Sequence, residues 1–261
     1  MNNRLGAWLP GGFTFAQHLP NEGGIAGMKL CKMHLVAVCW FFLMVVPAYA
    51  QRVNFGVDVG ETSDKFGGLA AVTGLELDID GQVTILKNNE KTGRPAIVAG
   101  GEIRLPSDTS NHAREYALFG GPAFPYHNFV FSLHAQIHQL DLPVAYVDNQ
   151  YFARDRFRLL ELPVVIRYNF ASGKRAFVEA QGAPEFTPHF HNSPLNLAPL
   201  PNPNFDHGYF IRGSAGYNFK WWYVKATYET RYFRFLANPN NPNGLYNWRT
   251  NLATGGVGFV F

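Results

Sequence analysis

Sulfur chemistry, charge and long apolar runs are what this sequence withholds. Its two cysteines, Cys31 and Cys39, both lie within the first 50 residues, so the chain from Gln51 onward can form no disulfide. Charged residues make up 16% of the chain, against about 25% in an ordinary soluble domain, while aromatics reach 15%. That combination suits a protein with two kinds of solvent. The net charge is only +3 and the Lys and Arg residues are scattered, which argues against the basic stripe of a nucleic-acid binder. After Gln51 no stretch approaches the roughly 18 consecutive apolar residues of a membrane-spanning helix. A glycine-rich phosphate loop, HExxH and GxSxG are missing as well, so those routes to nucleotide, zinc-protease and hydrolase chemistry have no sequence support.

What is present begins at Met28. "MKLCKMH" is a short basic start, "LVAVCWFFLMVV" (Leu35 to Val46) is apolar, and "AYA" (Ala48 to Ala50) has the small-x-small pattern of a cleavage site. The apolar run is shorter than the roughly 20 residues of a spanning helix, so residues 28–50 read as a cleaved secretory signal. Residues 1–27 precede this better start and read as a mis-called start or a disordered leader. The folded domain is expected over 51–261.

That domain is built on a period of two. In "LLELPVVIRYNF", Leu160, Leu162, Val164, Ile166, Tyr168 and Phe170 share one face, and Glu161, Pro163, Val165, Arg167 and Asn169 the other. In "NFVFSLHAQIH", Phe129, Phe131, Leu133, Ala135 and Ile137 oppose Val130, Ser132, His134, Gln136 and His138. Strands are expected near 52–60, 95–105, 114–124, 127–138, 156–170, 175–190, 207–219, 221–236 and 247–261. The region 68–88 holds either one long strand or a hairpin turning at Asp80-Gly81. Long connections (139–155, 191–206, 237–246) alternate with tight ones (125–128, 171–174, 219–221). Short turns at one end and long loops at the other are the pattern of a transmembrane barrel. The expectation is an all-β, closed, antiparallel up-and-down transmembrane β-barrel of ten strands, an even number bringing both termini to one end. Eight strands, with 51–94 as an extension, is the alternative.

With the apolar faces outside, the other faces line the lumen. They carry Glu102, Arg104, Glu161, Arg167, Glu179, Glu185, Arg212, Lys225, Glu229 and Arg231. Acids and bases balance in this set, which points to an ion-paired polar core rather than a charged pore, since a barrel this narrow is filled by its own side chains. Tyr209 with Phe219, Trp222 with Tyr232, and Phe129 with Tyr168 are placed for aromatic girdles.

The chain closes on "TGGVGFVF", with Thr254, Gly256, Phe259 and Phe261 in a polar, glycine, aromatic, aromatic order. This resembles the C-terminal signal read by the barrel-assembly machinery of the outer membrane. "LLELPVVIRYNF" and "FVEAQGAPEF" likewise resemble paired strands of the small outer membrane protein beta-barrel families, OmpA/OmpX-like or PorT-like. The resemblance spans about Gln51 to Phe261. It implies the cell outer membrane of a Gram-negative bacterium, with the assembly machinery, membrane lipid and lipopolysaccharide as partners.

Chemistry-bearing residues are few. His134 and His138 share a face but stand about 13 Å apart along a strand, too far to share one metal. His189, His191 and His207 could hold a divalent cation at a loop mouth, although polar loop residues are the ordinary reading. "HNS", with His191 and Ser193, is similar to the His-x-Ser pair of barrels that deacylate lipopolysaccharide. Only Asp206 stands near in sequence as an orienting acid, and Pro194 follows at once. No catalytic residue, metal or cofactor is assigned, and nucleic acid is not expected as a partner. The expected role is a non-catalytic scaffold displaying its long loops, with a narrow passive channel and a lipid-modifying enzyme as alternatives.

Overall fold

The structure, a computed structural model, describes residues 52–66, 70–89, 92–108, 112–143, 146–147, 150–151, 154–170, 175–186, 193–194, 204–236 and 247–261. They belong to one compact unit, Val46–Phe261. Ten long strands follow one another in sequence. They are β1 (Arg52–Phe66), β2 (Val72–Leu86), β3 (Ala96–Pro106), β4 (Arg114–Tyr126), and β5, running as Phe129–Leu133 and Ala135–Pro143. Then come β6, running as Arg154–Glu161 and Val164–Asn169, β7 (Ala176–Phe186), β8 (Asn204–Asn218), β9 (Trp222–Leu236) and β10 (Trp248–Val260).

Each strand pairs antiparallel with the next, and β1 pairs with β10 from Asn54↔Val260 to Phe66↔Trp248, closing the cylinder. The last residue completes this seam. Val53 N–H donates to Phe261 O at 3.1 Å, and Phe261 N–H donates to Val53 O at 2.9 Å. Closure leaves no long open edge, which is what allows a sheet to survive in lipid.

The region 72–86 is a single strand, so Asp80-Gly81 is not a turn. Its alternation explains why: Leu75, Leu77 and Ile79 face one way and Glu76, Asp78 and Asp80 the other, a two-sided pattern that a turn at Asp80 would break. Ten strands are therefore realised, not eight. The interruptions in β5 and β6 lie side by side. Pro163 has no N–H to give the ladder, while His134 N–H donates to Pro163 O at 2.9 Å. The register of Gln136↔Glu161 and Val164↔Leu133 continues across the break, so neither strand changes face.

The start of β1 and the last residue, Phe261, share one end, here the terminal end, with connections 87–95, 127–128, 170–175 and 219–221. The opposite, far end has 67–71, 107–113, 144–153, 187–203 and 237–247. The expected loop asymmetry holds from β4 onward and reverses in the first hairpins, where 67–71 is shorter than 87–95. Strands also run further than the sequence suggests, so that 139–143 and 204–206 are strand rather than loop. The tightest turn joins Tyr126 to Phe129, with His127 at φ 53°, the left-handed conformation that two-residue hairpins demand at their first central position.

An ionic lumen inside an apolar belt

Outward residues form the belt. Leu75, Leu118, Leu133, Ile137, Leu160, Leu162, Val164, Ile166, Ile211, Val257, Phe259 and Phe261 are exposed, on strands spread around the cylinder. The expected girdle rings Phe129, Tyr209, Phe219 and Trp222 are exposed too, with Phe219 stacked on Trp222 at 3.9 Å. An uncompensated apolar ring this extensive has no place in water, and lipid is the solvent that fits it. Inside, Glu161, Glu185, Glu229 and Arg231 are at most 1% exposed. Apolar outside and ionic inside inverts a soluble protein. The chain is a transmembrane β-barrel of the outer-membrane kind.

The ionic interior is built from residues that alternate with the belt. Arg104 on β3 donates through Nη1 and Nη2 to the two oxygens of Glu229 on β9, at 2.7 and 2.6 Å, and through Nε to Glu102 at 2.6 Å. Arg212 on β8 bridges the same two acids, reaching Glu229 at 2.6 Å and Glu102 at 2.7 Å. Arg231 lies among Glu115, Glu161, Glu185 and Glu229 at 3.5 to 3.7 Å, with its guanidinium 5.0 Å from the Phe210 ring. His138 is held between Glu161, at 2.9 Å from Nδ1, and Glu115, at 3.2 Å from Nε2, and also touches Arg231. Gln136 donates to Glu161 at 2.7 Å.

Three of the ten expected lumen groups stand apart from this network. Arg167 and Glu179 approach only to 3.8 Å, and the Arg167 guanidinium stacks 3.7 Å above Phe177. Lys225 pairs with none of the five acids among the ten, but with Asp58 at 2.9 Å and Asp80 at 2.6 Å.

The equal balance of acids and bases does not hold. Asp58, Asp64, Glu76, Asp78, Asp80 and Glu115 also point inward, whereas the rim residue Arg52 is the one further inward Lys or Arg among the described residues. Part of the signal was in the sequence. Glu76, Asp78 and Asp80 alternate with Leu75, Leu77 and Ile79, so choosing a single strand for 72–86 would have assigned them.

Inward residues change character along the barrel. Toward the far end they are apolar: Leu140 opposite Phe157, Phe233 stacked on Trp248 at 5.2 Å, and Leu252, each 1 to 2% exposed. Asp64 is set among them, accepting from Trp248 Nε1 at 3.2 Å and standing 2.8 Å from His112 Nδ1. His112 comes just before β4, and nothing in its local pattern marks it as inward. Toward the terminal end the lumen opens into a cavity of about 470 Å³, bordered by residues such as Asn54, Asp78, His134, Arg167 and Ser214.

The C-terminal motif divides between the two faces. Phe259 and Phe261 face lipid, 50% and 69% exposed, whereas Thr254 is buried inward. Gly256 is the partner of Asp58 in the ladder, and a Cβ there would collide with the Asp58 carboxylate that holds Lys225. Gly258 likewise leaves room for the Tyr223 ring. Packing thus gives the motif's glycine a reason of its own.

Of the other candidates, His189 and His191 lie outside the described residues, as does any side-chain geometry of Ser193. His207 stands 3.0 Å from Asp206, exposed at the far end. Among the described residues no group of three or more His, Cys, Asp or Glu could hold a metal ion. His134 and His138 do not act together: His134 stacks on Phe119 at 5.0 Å, and His138 belongs to the ionic network.

No protein family and no curated protein sequence matches the chain. Solved structures similar to it include the outer membrane protease OmpT from Escherichia coli, at 10% identity over 81% of this chain and 97% of that one, with a TM-score of 0.44. Neisserial surface protein A is similar at 10% identity, over 79% and 96%, with a TM-score of 0.36. The N-terminal beta-barrel domain of Pseudomonas aeruginosa OprF gives 10%, 79% and 97%, with 0.29. Likenesses this distant transfer neither activity nor partners.

Proposed function

We propose that this outer-membrane barrel is a sealed, non-catalytic scaffold that presents its far-end loops to the exterior. The observation that carries this reading is the filled cross-section. Arg231, Glu229 and Glu161 occupy the middle of the lumen, and Phe157, Phe210, Phe233 and Trp248 are buried with them. A conducting pore needs a continuous wet path, and the paired ionic belt and the buried aromatic residues across the lumen speak against one. Binding residues on such a frame belong to its loops.

The belt also suggests how the barrel sits in lipid. From Phe129 at the terminal end to Gln139 is ten positions of β5, about 24 Å of membrane depth for a strand tilted by roughly 45°. At that upper level Gln139 pairs with Arg158 and with Tyr116, and one step beyond, Asp141 pairs with Arg156 and Arg114. Arginines where the apolar band ends suit the phosphates of an outer leaflet, as lipopolysaccharide supplies.

The test is a planar-bilayer recording of the folded full chain. The scaffold reading expects no unit conductance, and regular steps would replace it with the narrow channel. Lipid A acylation is the parallel readout. It is expected to be unchanged by expression of the chain, and a change that depends on His191 and Ser193 would establish the lipid-modifying enzyme instead.

A further inference from the structure

Arg167 presents an open guanidinium to the terminal-end cavity. The Phe177 ring lies 3.7 Å from it, and its Nε donates to Asn169 Oδ1 at 3.2 Å, so the side chain is held in place from two sides. Its two Nη groups have no hydrogen-bond partner among the described residues, and Glu179, its ladder partner on β7, stays 3.8 Å away. The side chain is 29% exposed, and it borders the cavity. Arg52, at the start of β1, borders the same cavity, close enough for the two charges to act on one another, and has no ion pair among the described residues. Two guanidinium groups thus face one acid at the mouth. The deeper acids have cations of their own: Asp58 and Asp80 hold Lys225, Glu102 holds Arg104 and Arg212, and Asp78 stands 3.8 Å from Arg104.

Beside Arg167 the wall is apolar. The registers set Val130 next to Arg167 and Ser132 between Ala123 and Val165, all facing the cavity. This patch on β4, β5 and β6 stands half a turn of the ten-strand cylinder from Asp58 and Lys225 on β1 and β9. The geometry points to a small carboxylate with an apolar body as the ligand of this cavity, its oxygens on the Nη groups of Arg167 and its body along Val130, Ala123 and Val165. This goes beyond the scaffold reading and does not depend on it. A guanidinium takes a carboxylate through two parallel N–H bonds, and Arg52 adds a second positive charge at the entrance. The volume of about 470 Å³ is that of a small-molecule pocket. The lining reaches Asn169 and Asn218 at the terminal rim, so a ligand would enter from the end that carries the start of β1 and Phe261, the periplasmic one in a barrel of this kind.

The experiment is isothermal titration of benzoate into the folded full chain in detergent at low ionic strength. Benzylamine serves as the cation of the same shape, and acetate as the carboxylate without the body. Each protein is first checked for heat-modifiable migration. Saturable binding of benzoate, none of benzylamine, and at least tenfold weaker binding of acetate are expected. Arg167→Gln should weaken benzoate at least tenfold. Arg52→Gln, at the exposed start of β1, should weaken it several-fold and keeps the test open should Arg167→Gln fail to fold. Ser132→Phe, which fills the space between Ala123 and Val165 without altering charge, should abolish binding. Absence of saturable binding to the folded wild type overturns the proposal, and so does equal affinity for benzylamine or acetate, or wild-type affinity in any of the folded variants. Because the measurement needs no transport, its failure is distinct from any conductance found above.

Discussion

Arg104 and Glu229 are 125 positions apart in the chain, yet their side chains meet in a two-pronged pair at 2.6 and 2.7 Å across the middle of the lumen. Both are almost completely buried, so each charge depends on the other and on the groups around them. Removing one partner of a buried pair typically costs about 3 to 5 kcal/mol, because the survivor is stranded. Glu229→Ala is therefore expected to lower stability by about that amount, and the smaller change Glu229→Gln by less. Urea unfolding in lipid vesicles, followed by tryptophan fluorescence, measures both.

The belt makes a second prediction. Leu133 is 49% exposed on the lipid side of β5, near mid-depth, next in sequence to inward Ser132 and His134. Leu133→Arg should cost about 2 to 4 kcal/mol in a bilayer, the usual penalty for arginine at the midplane of a barrel wall. An unchanged unfolding midpoint in vesicles would mean that this face does not touch acyl chains.

Arg167 belongs to the wall of the cavity. It stacks on Phe177 and borders the cavity, outside the network around Arg231. Arg167→Ala should enlarge the vestibule and leave the bilayer recording silent. If conductance appears in this variant alone, the barrier to ions lies at the terminal end and not in the belt of Glu161, Glu229 and Arg231.

At the far end, Arg158 is exposed on the outer face and has no carboxylate partner among the described residues, whereas Arg156 is clamped by Asp141 at 2.8 Å. Arg158→Glu should weaken association with lipopolysaccharide-containing vesicles several-fold and leave unfolding in phosphatidylcholine unchanged. Equal behaviour in both lipids would remove the phosphate contact suggested for this level.

The seam offers a last test. Deleting Phe261 removes both of its hydrogen bonds to Val53 and a lipid-facing ring. Each bond contributes about 1 kcal/mol net in ordinary settings, and lipid supplies no water to replace it. Folding into vesicles without any assembly factor should slow, and the heat-modifiable band should diminish. Phe261→Ala, which keeps the backbone pair, should fold faster than the deletion.

Alternation by itself determined the strands, their count once 72–86 is read whole, and the two faces. A strand has a side-chain period of two, so one correctly placed residue orients all the rest. It also singled out Glu102, Arg104, Glu161, Glu229 and Arg231 as inward groups. Only the tertiary structure decided who meets whom. Arg104 joins Glu229 and Lys225 joins Asp58 because the closed ladder sets strand β3 facing β9, and β1 and β2 near β9, a relation of register and curvature that no local spacing encodes. The same holds for the layering of aromatic residues, ionic belt and cavity. Inward positions are alike in pattern, and their depth along the axis emerges only when ten registers are fixed together. His112 illustrates the limit: it precedes its strand, shows no periodicity, and reaches Asp64 across the space that Gly74 leaves open.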